Sequence, residues 1–133
     1  MTAEGKKRAL IIDDDPMIRT LVQSVLEVEG FELTTAENGE KGIEVLDNQP
    51  RPINFSLVIL DVVMPGMSGL DVLTRMKLHS HTQSVPVLML TGEARAGDIL
   101  AGYNVGADYY ITKPFTRQQL LYGVGLVISP PDE

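Results

Sequence analysis

The feature of this sequence that most restricts its fold is an alternation: short runs of branched apolar residues, each followed by a longer segment at helical spacing. Five such runs are present, Arg8–Ile12, Phe31–Ala36, Leu57–Leu60, Val85–Leu90 and Tyr109–Thr112. Strands alternating with helices pack as a parallel sheet covered by helices on both faces, so the chain is read as α/β. The third run, L-V-I-L, and nearly all of the fourth are apolar without alternation, which marks central strands buried on both sides.

The helical segments carry their own punctuation. Asp15-Pro16 supplies an N-cap and a first-turn proline, and Ile18, Leu21, Val22, Val25 and Leu26 recur at three- and four-residue steps, forming one buried stripe that ends near Gly30. A second helix is expected over Gly39–Asp47, stopped by Asn48, Pro50 and Pro52. A third follows the turn Met64-Pro65-Gly66-Met67-Ser68-Gly69 and runs to about Leu78, leaving through the polar loop His79-Ser80-His81-Thr82. The fourth should span about Glu93–Asn104 and the fifth Thr116 to about Val127, closed by Pro130-Pro131. Gly97 and Gly102 fall inside the fourth and Gly123 and Gly125 inside the fifth; each interior glycine costs about 1 kcal/mol against alanine, so these two helices are expected to be the least stable.

A length of 133 residues with 44% hydrophobic content fits one domain, residues 1–133 with a core of about 8–128. The net charge of −7 has the wrong sign for attracting a phosphate backbone, which argues against direct nucleic-acid binding. The chain has no cysteine, no apolar leader and no run near the ~20 residues needed to cross a bilayer. A soluble cytoplasmic protein without membrane contact is the expectation.

In a parallel sheet the C-terminal strand ends share one edge, where ligands bind at the crevice in which strand order reverses. The first strand delivers Asp13, Asp14 and Asp15 to that edge, the third Asp61, the fourth Thr91 and the fifth Lys113. Carboxylates gathered from adjacent strands repel one another unless a cation joins them. An oxygen-only ligand set with no histidine or cysteine suits magnesium, which takes one or two carboxylates and keeps several waters. A carboxylate can also attack phosphorus, and that reaction needs the phosphoryl oxygens neutralised more than it needs a base. Lys113 as a point charge and Thr91 as a hydroxyl donor are the right types, and Asp61, leaving a rigid central strand, is the best-placed nucleophile.

Four segments carry a resemblance: I-I-D-D-D-P, L-V-I-L-D-V-V-M-P-G-M-S-G, V-P-V-L-M-L-T-G and G-A-D-Y-Y-I-T-K-P-F. In this order, each at an expected strand end, the chain resembles the response regulator receiver domains (CheY-like) of two-component signal transduction. The resemblance implies a flavodoxin-like doubly wound five-stranded sheet in the order 2-1-3-4-5 with five helices. It makes Asp61 the phosphoacceptor, supplied by a phosphohistidine on a cognate histidine kinase or phosphotransfer protein. It assigns magnesium to Asp14, Asp61 and the Val63 carbonyl, with Asp13 acting largely through water. Lys113 would contact the phosphoryl group, and the Lys113-Pro114 peptide would be cis. Thr91 and Tyr110 would be the switch pair, the ring turning inward as the hydroxyl moves and so reshaping the face of the fourth and fifth helices and fifth strand. A phosphoacceptor with at most slow self-dephosphorylation, rather than an enzyme with turnover, is implied.

Plainer readings compete at several positions. Asp15 is read as a helix cap rather than a ligand, and His79 and His81 as loop residues. Taken singly, Thr91 could be an N-cap, Tyr110 a packing residue and Lys113 a turn lysine. An aspartate-nucleophile phosphohydrolase would need a second aspartate two residues beyond the first, where Val63 stands. A dinucleotide-binding domain would need glycines where Asp13-Asp14-Asp15-Pro16 lies. A docking domain that is never phosphorylated would have no use for the set of Asp61, Thr91 and Lys113. Wherever Leu120, Leu121 and Val124 of the last helix are not buried, that face could form a phosphorylation-dependent homodimer or bind an output partner.

Overall fold

A computed structural model describes residues 7–92 and 96–128, with the backbone alone for 96–98. In chain order the elements are β1 Lys7–Ile12, α1 Pro16–Val28, β2 Phe31–Ala36, α2 Gly39–Asp47, β3 Leu57–Asp61, α3 Gly69–Leu78, β4 Val87–Thr91, α4 Ala96–Val105, β5 Tyr109–Thr112 and α5 Arg117–Ile128. The strands are parallel and lie in the order β2-β1-β3-β4-β5, the expected doubly wound sheet.

Local chemistry sets most helix starts. Asp15 accepts the Met17 N–H at 2.9 Å and Pro16 opens α1, so the cap reading of Asp15 holds. Asn38 caps α2 by accepting from Lys41 N, and Ser68 and Asp71 exchange hydrogen bonds at the start of α3 as a capping box. Thr116 and Gln119 do the same before α5, which makes Thr116 the cap and Arg117 the first helical residue.

Strand alternation divides the core in two. On one face Leu10, Ile12, Val58, Leu60, Val87 and Met89 pack with Ile43 and Leu46 of α2 and Val72, Leu73 and Met76 of α3. On the other, Ala9, Ile11, Leu57, Ile59, Leu88 and Leu90 meet Val22, Val25 and Leu26 of α1 and Leu120 and Val124 of α5. Both β3 and β4 are buried along their whole length, as their unalternating sequences require.

Two expectations need correction. β4 begins at Val87, not Val85: Pro86 has no N–H to give a neighbouring strand, and Val85 N turns back to the Thr82 carbonyl at 3.2 Å. Leu21 is 43% exposed, lying at the rim of a stripe centred on Val22, Val25 and Leu26. The glycines of α4 and α5 include two with a packing role, since Gly102 lies against the Tyr110 ring and Gly123 against Ile111 and Tyr109. Glu93, at the expected start of the fourth helix, and Pro130-Pro131, at the expected end of the fifth, lie outside the described residues.

Candidate functional site

The parallel register brings the strand tips together. Ile12 pairs with Leu60, so Asp13 and Asp61 leave adjacent strands at nearly the same level; Asp61 pairs with Leu90, and Thr91 with Thr112, which puts Lys113 one residue further out. Backbone hydrogen bonds continue past the strands, from Asp13 N to the Ala36 carbonyl (3.2 Å), Val62 N to Leu90 (2.9 Å) and Lys113 N to Thr91 (2.7 Å). These bonds hold the tips in fixed positions. Carboxylate oxygens of Asp13, Asp14 and Asp61 lie within 4.8 Å of one another, with Asp13 and Asp61 buried and Asp14 exposed.

Lys113 is the cation of this group. Its ammonium lies 3.1 Å from Asp13 Oδ2 and donates to Asp61 Oδ1 at 3.3 Å. Among the described residues two of the three carboxylates, Asp13 and Asp61, pair with this ammonium. Burial, and then the neighbouring Asp13 charge, push the Asp61 carboxyl up to about 7, against the opposing pull of Lys113. For Lys113, burial alone would lower the pKa; the carboxylates of Asp13 and Asp61 outweigh it and raise the value.

Asp13 Oδ1 accepts the Asp15 N–H at 2.9 Å, whereas Oδ2, wholly buried, has among the described residues no partner but the Lys113 ammonium at 3.1 Å. An under-satisfied buried carboxylate oxygen beside two further carboxylates, with no nitrogen or sulfur donor, is a donor set for a hard divalent cation. Asp14 also lines an open cleft with Pro16, Arg19, Glu37, Asn38, Glu40 and Pro65.

The remaining candidates sit around this centre. Thr91 is buried at the end of β4, and by strand alternation it faces the same side of the sheet as Met89 and as Tyr110, the residue of β5 that pairs with Met89. Tyr110 is half-buried against the core on the α4 side, its ring 5.2 Å from that of Tyr103. Val63 stands two residues beyond Asp61 and is 69% exposed. The Lys113-Pro114 peptide is cis, as the resemblance implied, and so is Arg51-Pro52. His79 and His81 lie away from the site and contact the carbonyls of Arg75 and Leu46.

Two residues of the site were not singled out by sequence reasoning. Arg19, one turn into α1, donates to the Asp13 carbonyl at 2.7 Å and so ties the acidic loop to the helix. Gly69 packs against the Asp61 backbone, and a Cβ there would overlap the Asp61 carbonyl oxygen and lie 2.8 Å from Val62 Cα. Its N–H donates to the Val62 carbonyl at 2.8 Å, folding the β3–α3 loop back beneath the acid group.

Residues 9–124 match the family model described as the response regulator receiver domain. The chain belongs to this family. Among similar sequences, this receiver domain is 41% identical over 112 residues to the probable transcriptional regulatory protein TcrX of Mycobacterium tuberculosis (strain H37Rv), covering 84% of this chain and 45% of that protein. It is 38% identical over 127 residues to the phosphate regulon transcriptional regulatory protein PhoB of Escherichia coli (strain K12), covering 93% and 54%. The chain thus spans about half the length of the curated relatives it matches. Among solved structures, the chemotaxis protein CheY4 of Vibrio cholerae superposes with a TM-score of 0.84 at 31% identity, covering 92% of this chain and 99% of that one. A CheY-like receiver domain from Methanospirillum hungatei JF-1 gives 0.80 at 32% identity, covering 90% and 91%. The receiver domain has the CheY-like flavodoxin fold, and among the described residues no helix is long and apolar enough to cross a membrane.

Proposed function

We propose that this receiver domain accepts a phosphoryl group on Asp61 from a phosphohistidine of a sensor kinase or phosphotransfer protein, in a magnesium-dependent reaction, and that the phosphorylated state is read out on the face of α4, β5 and α5. The observation that carries this reading is the grouping of Asp61 with Asp13, Asp14 and the Lys113 ammonium, 3.3 Å from Asp61 Oδ1, at the tips of separate strands.

In the step proposed, one carboxylate oxygen of Asp61 forms a bond to phosphorus as the phosphorus–nitrogen bond of the donor breaks, and the imidazole leaves with the electron pair and takes up a proton. Asp61 must be ionised to attack, and burial with the Asp13 charge raises its carboxyl to about 7 in the metal-free chain, so a cation bound beside it would increase the ionised, reactive fraction at neutral pH. Asp13, Asp14, Asp61 and the Val63 carbonyl would hold the magnesium, with Asp13 acting largely through water. Bound there, the ion supplies charge neutralisation for the acids and for the incoming phosphoryl oxygens. Lys113 pairs with a second phosphoryl oxygen, leaving its present partners to do so, and the Thr91 hydroxyl donates to a third.

Movement of Thr91 toward the phosphoryl group frees space on the α4 side of β4, and the Tyr110 ring turns into it. The face so altered carries exposed Leu100 and Tyr103 on α4 and Tyr122 and Leu126 on α5, while Leu120 and Val124 belong to the core and Leu121 packs at its edge. An unidentified output partner, or a second copy of the chain, would bind there. The phosphohydrolase alternative is not favoured, because Val63 offers no acid or base where one is needed. Slow self-dephosphorylation by water is the only turnover this reading includes.

The test is beryllofluoride, which mimics an acyl phosphate without a donor. Fluorine NMR should show binding that requires magnesium and disappears in Asp61→Asn; binding retained by that variant would refute the assignment of Asp61.

A further inference from the structure

Gly102 occupies the interior of α4, where a helix loses stability by having glycine rather than alanine, and it is buried. What the glycine permits is visible on its inner side. A Cβ at this position would overlap the Tyr110 hydroxyl and lie 2.7 Å from Cζ and 2.9 Å from Cε1 of the same ring. Cζ and Cε1 belong to a rigid ring on a strand, so a methyl group could not be accommodated by moving the end of a flexible chain. The neighbouring Tyr103 ring, tilted 55° to that of Tyr110 with centroids 5.2 Å apart, flanks the same contact.

We propose that Gly102 is a positioning residue: its bare α-carbon is the seat that holds the Tyr110 ring on α4 in the unphosphorylated chain, and filling the seat shifts the domain toward the phosphorylated packing. This rests on the reading of Tyr110 as the moving ring. The physical reason is population shift. The seat contributes only to the packing in which the ring lies on α4, so a side chain that excludes the ring raises that packing alone and leaves the inward one relatively favoured. Whatever binds the inward packing better, an acyl phosphate or its mimic at Asp61, must then bind more tightly by the same factor.

The experiment uses the 133-residue chain with labelled tyrosines in wild type, Gly102→Ala, Tyr110→Ala and the double variant. Without magnesium or beryllofluoride, Gly102→Ala should move the ring resonances of Tyr110 and Tyr103 while those of Tyr109 and Tyr122 stay in place. Beryllofluoride with magnesium should bind Gly102→Ala about fivefold or more tightly than wild type, and the gain should vanish between Tyr110→Ala and the double variant. Unmoved Tyr110 resonances overturn the seat; a moved ring with unchanged affinity, or a gain that persists without the tyrosine ring, overturns its coupling to Asp61. Should Gly102→Ala alone fail to fold, recovery of folding in the double variant supports the seat and failure to recover overturns it. If beryllofluoride binding to wild type proves independent of Asp61, the reading of the site has failed and the coupling falls with it, whereas the resonances still decide whether Gly102 holds the ring.

Discussion

The carbonyl oxygen of Asp61 lies so close to the α-carbon of Gly69 that a methyl group there would overlap it. The loop after β3 must therefore return to the strand end from which it started, and only a residue without Cβ lets it do so. Gly69→Ala should destabilise the fold by about 3 kcal/mol, at the upper end of the usual cost of overpacking, and should reduce modification of Asp61 as its backbone shifts. Urea unfolding measures the first effect; an unchanged midpoint would mean the loop relaxes freely.

Asp61 also sets a pH dependence in the metal-free chain. Its carboxyl titrates near 7 when folded and near the ordinary value of about 4 when unfolded, so between those values the folded state binds more protons. The associated stability is fully present below about pH 4 and is lost as pH rises through 7, with a slope of at most about 1.4 kcal/mol per pH unit. Asp61→Asn removes this term, so the variant should gain on wild type as pH rises from 5 to 7.5. A stability difference that stays flat over that range contradicts the buried, under-neutralised carboxyl.

Lys113 is the counter-charge to two buried acids, so its removal leaves both uncompensated. Lys113→Met should cost about 3 kcal/mol in the absence of metal at pH 7.5, falling at lower pH as Asp61 takes up a proton in the ammonium's place. It should also abolish labelling by a phosphodonor. Chemical denaturation at two pH values checks the first part, and a loss independent of pH would assign Lys113 a packing role only.

Magnesium should stabilise the domain through the acid group. Binding to the folded state alone adds about 2.7 kcal/mol at a hundred times Kd. Asp14 is exposed, so Asp14→Asn should keep the fold and lose the magnesium effect. A thermal shift with magnesium that survives in Asp14→Asn would place the ion elsewhere.

Legibility in the sequence followed how local each signal was. Strand type, the Asp15 cap and the tips bearing Asp13, Asp61, Thr91 and Lys113 follow from residue types at short spacing, and the structure brings those tips to one edge. The start of β4 was misplaced because β-branched Val85 reads as strand, while the missing N–H of Pro86 decides the matter. Leu21 was taken as core because periodicity gives a direction and not the width of the face that is covered. The packing role of Gly102 and Gly123 was not legible, since sequence shows their helix cost but not the strand side chains that fill the space beside them. Arg19 was overlooked for a related reason: its partner is a backbone carbonyl, which no residue pattern advertises.

The central claim is that Asp61 is a nucleophile toward phosphorus. Incubation of the chain with acetyl phosphate, followed by intact mass measurement, tests it most directly. The account predicts a mass gain of one phosphoryl group that requires magnesium, is removed by hydroxylamine as an acyl phosphate must be, and is absent from Asp61→Asn. A gain of the same size without magnesium, or one retained by Asp61→Asn, would contradict it.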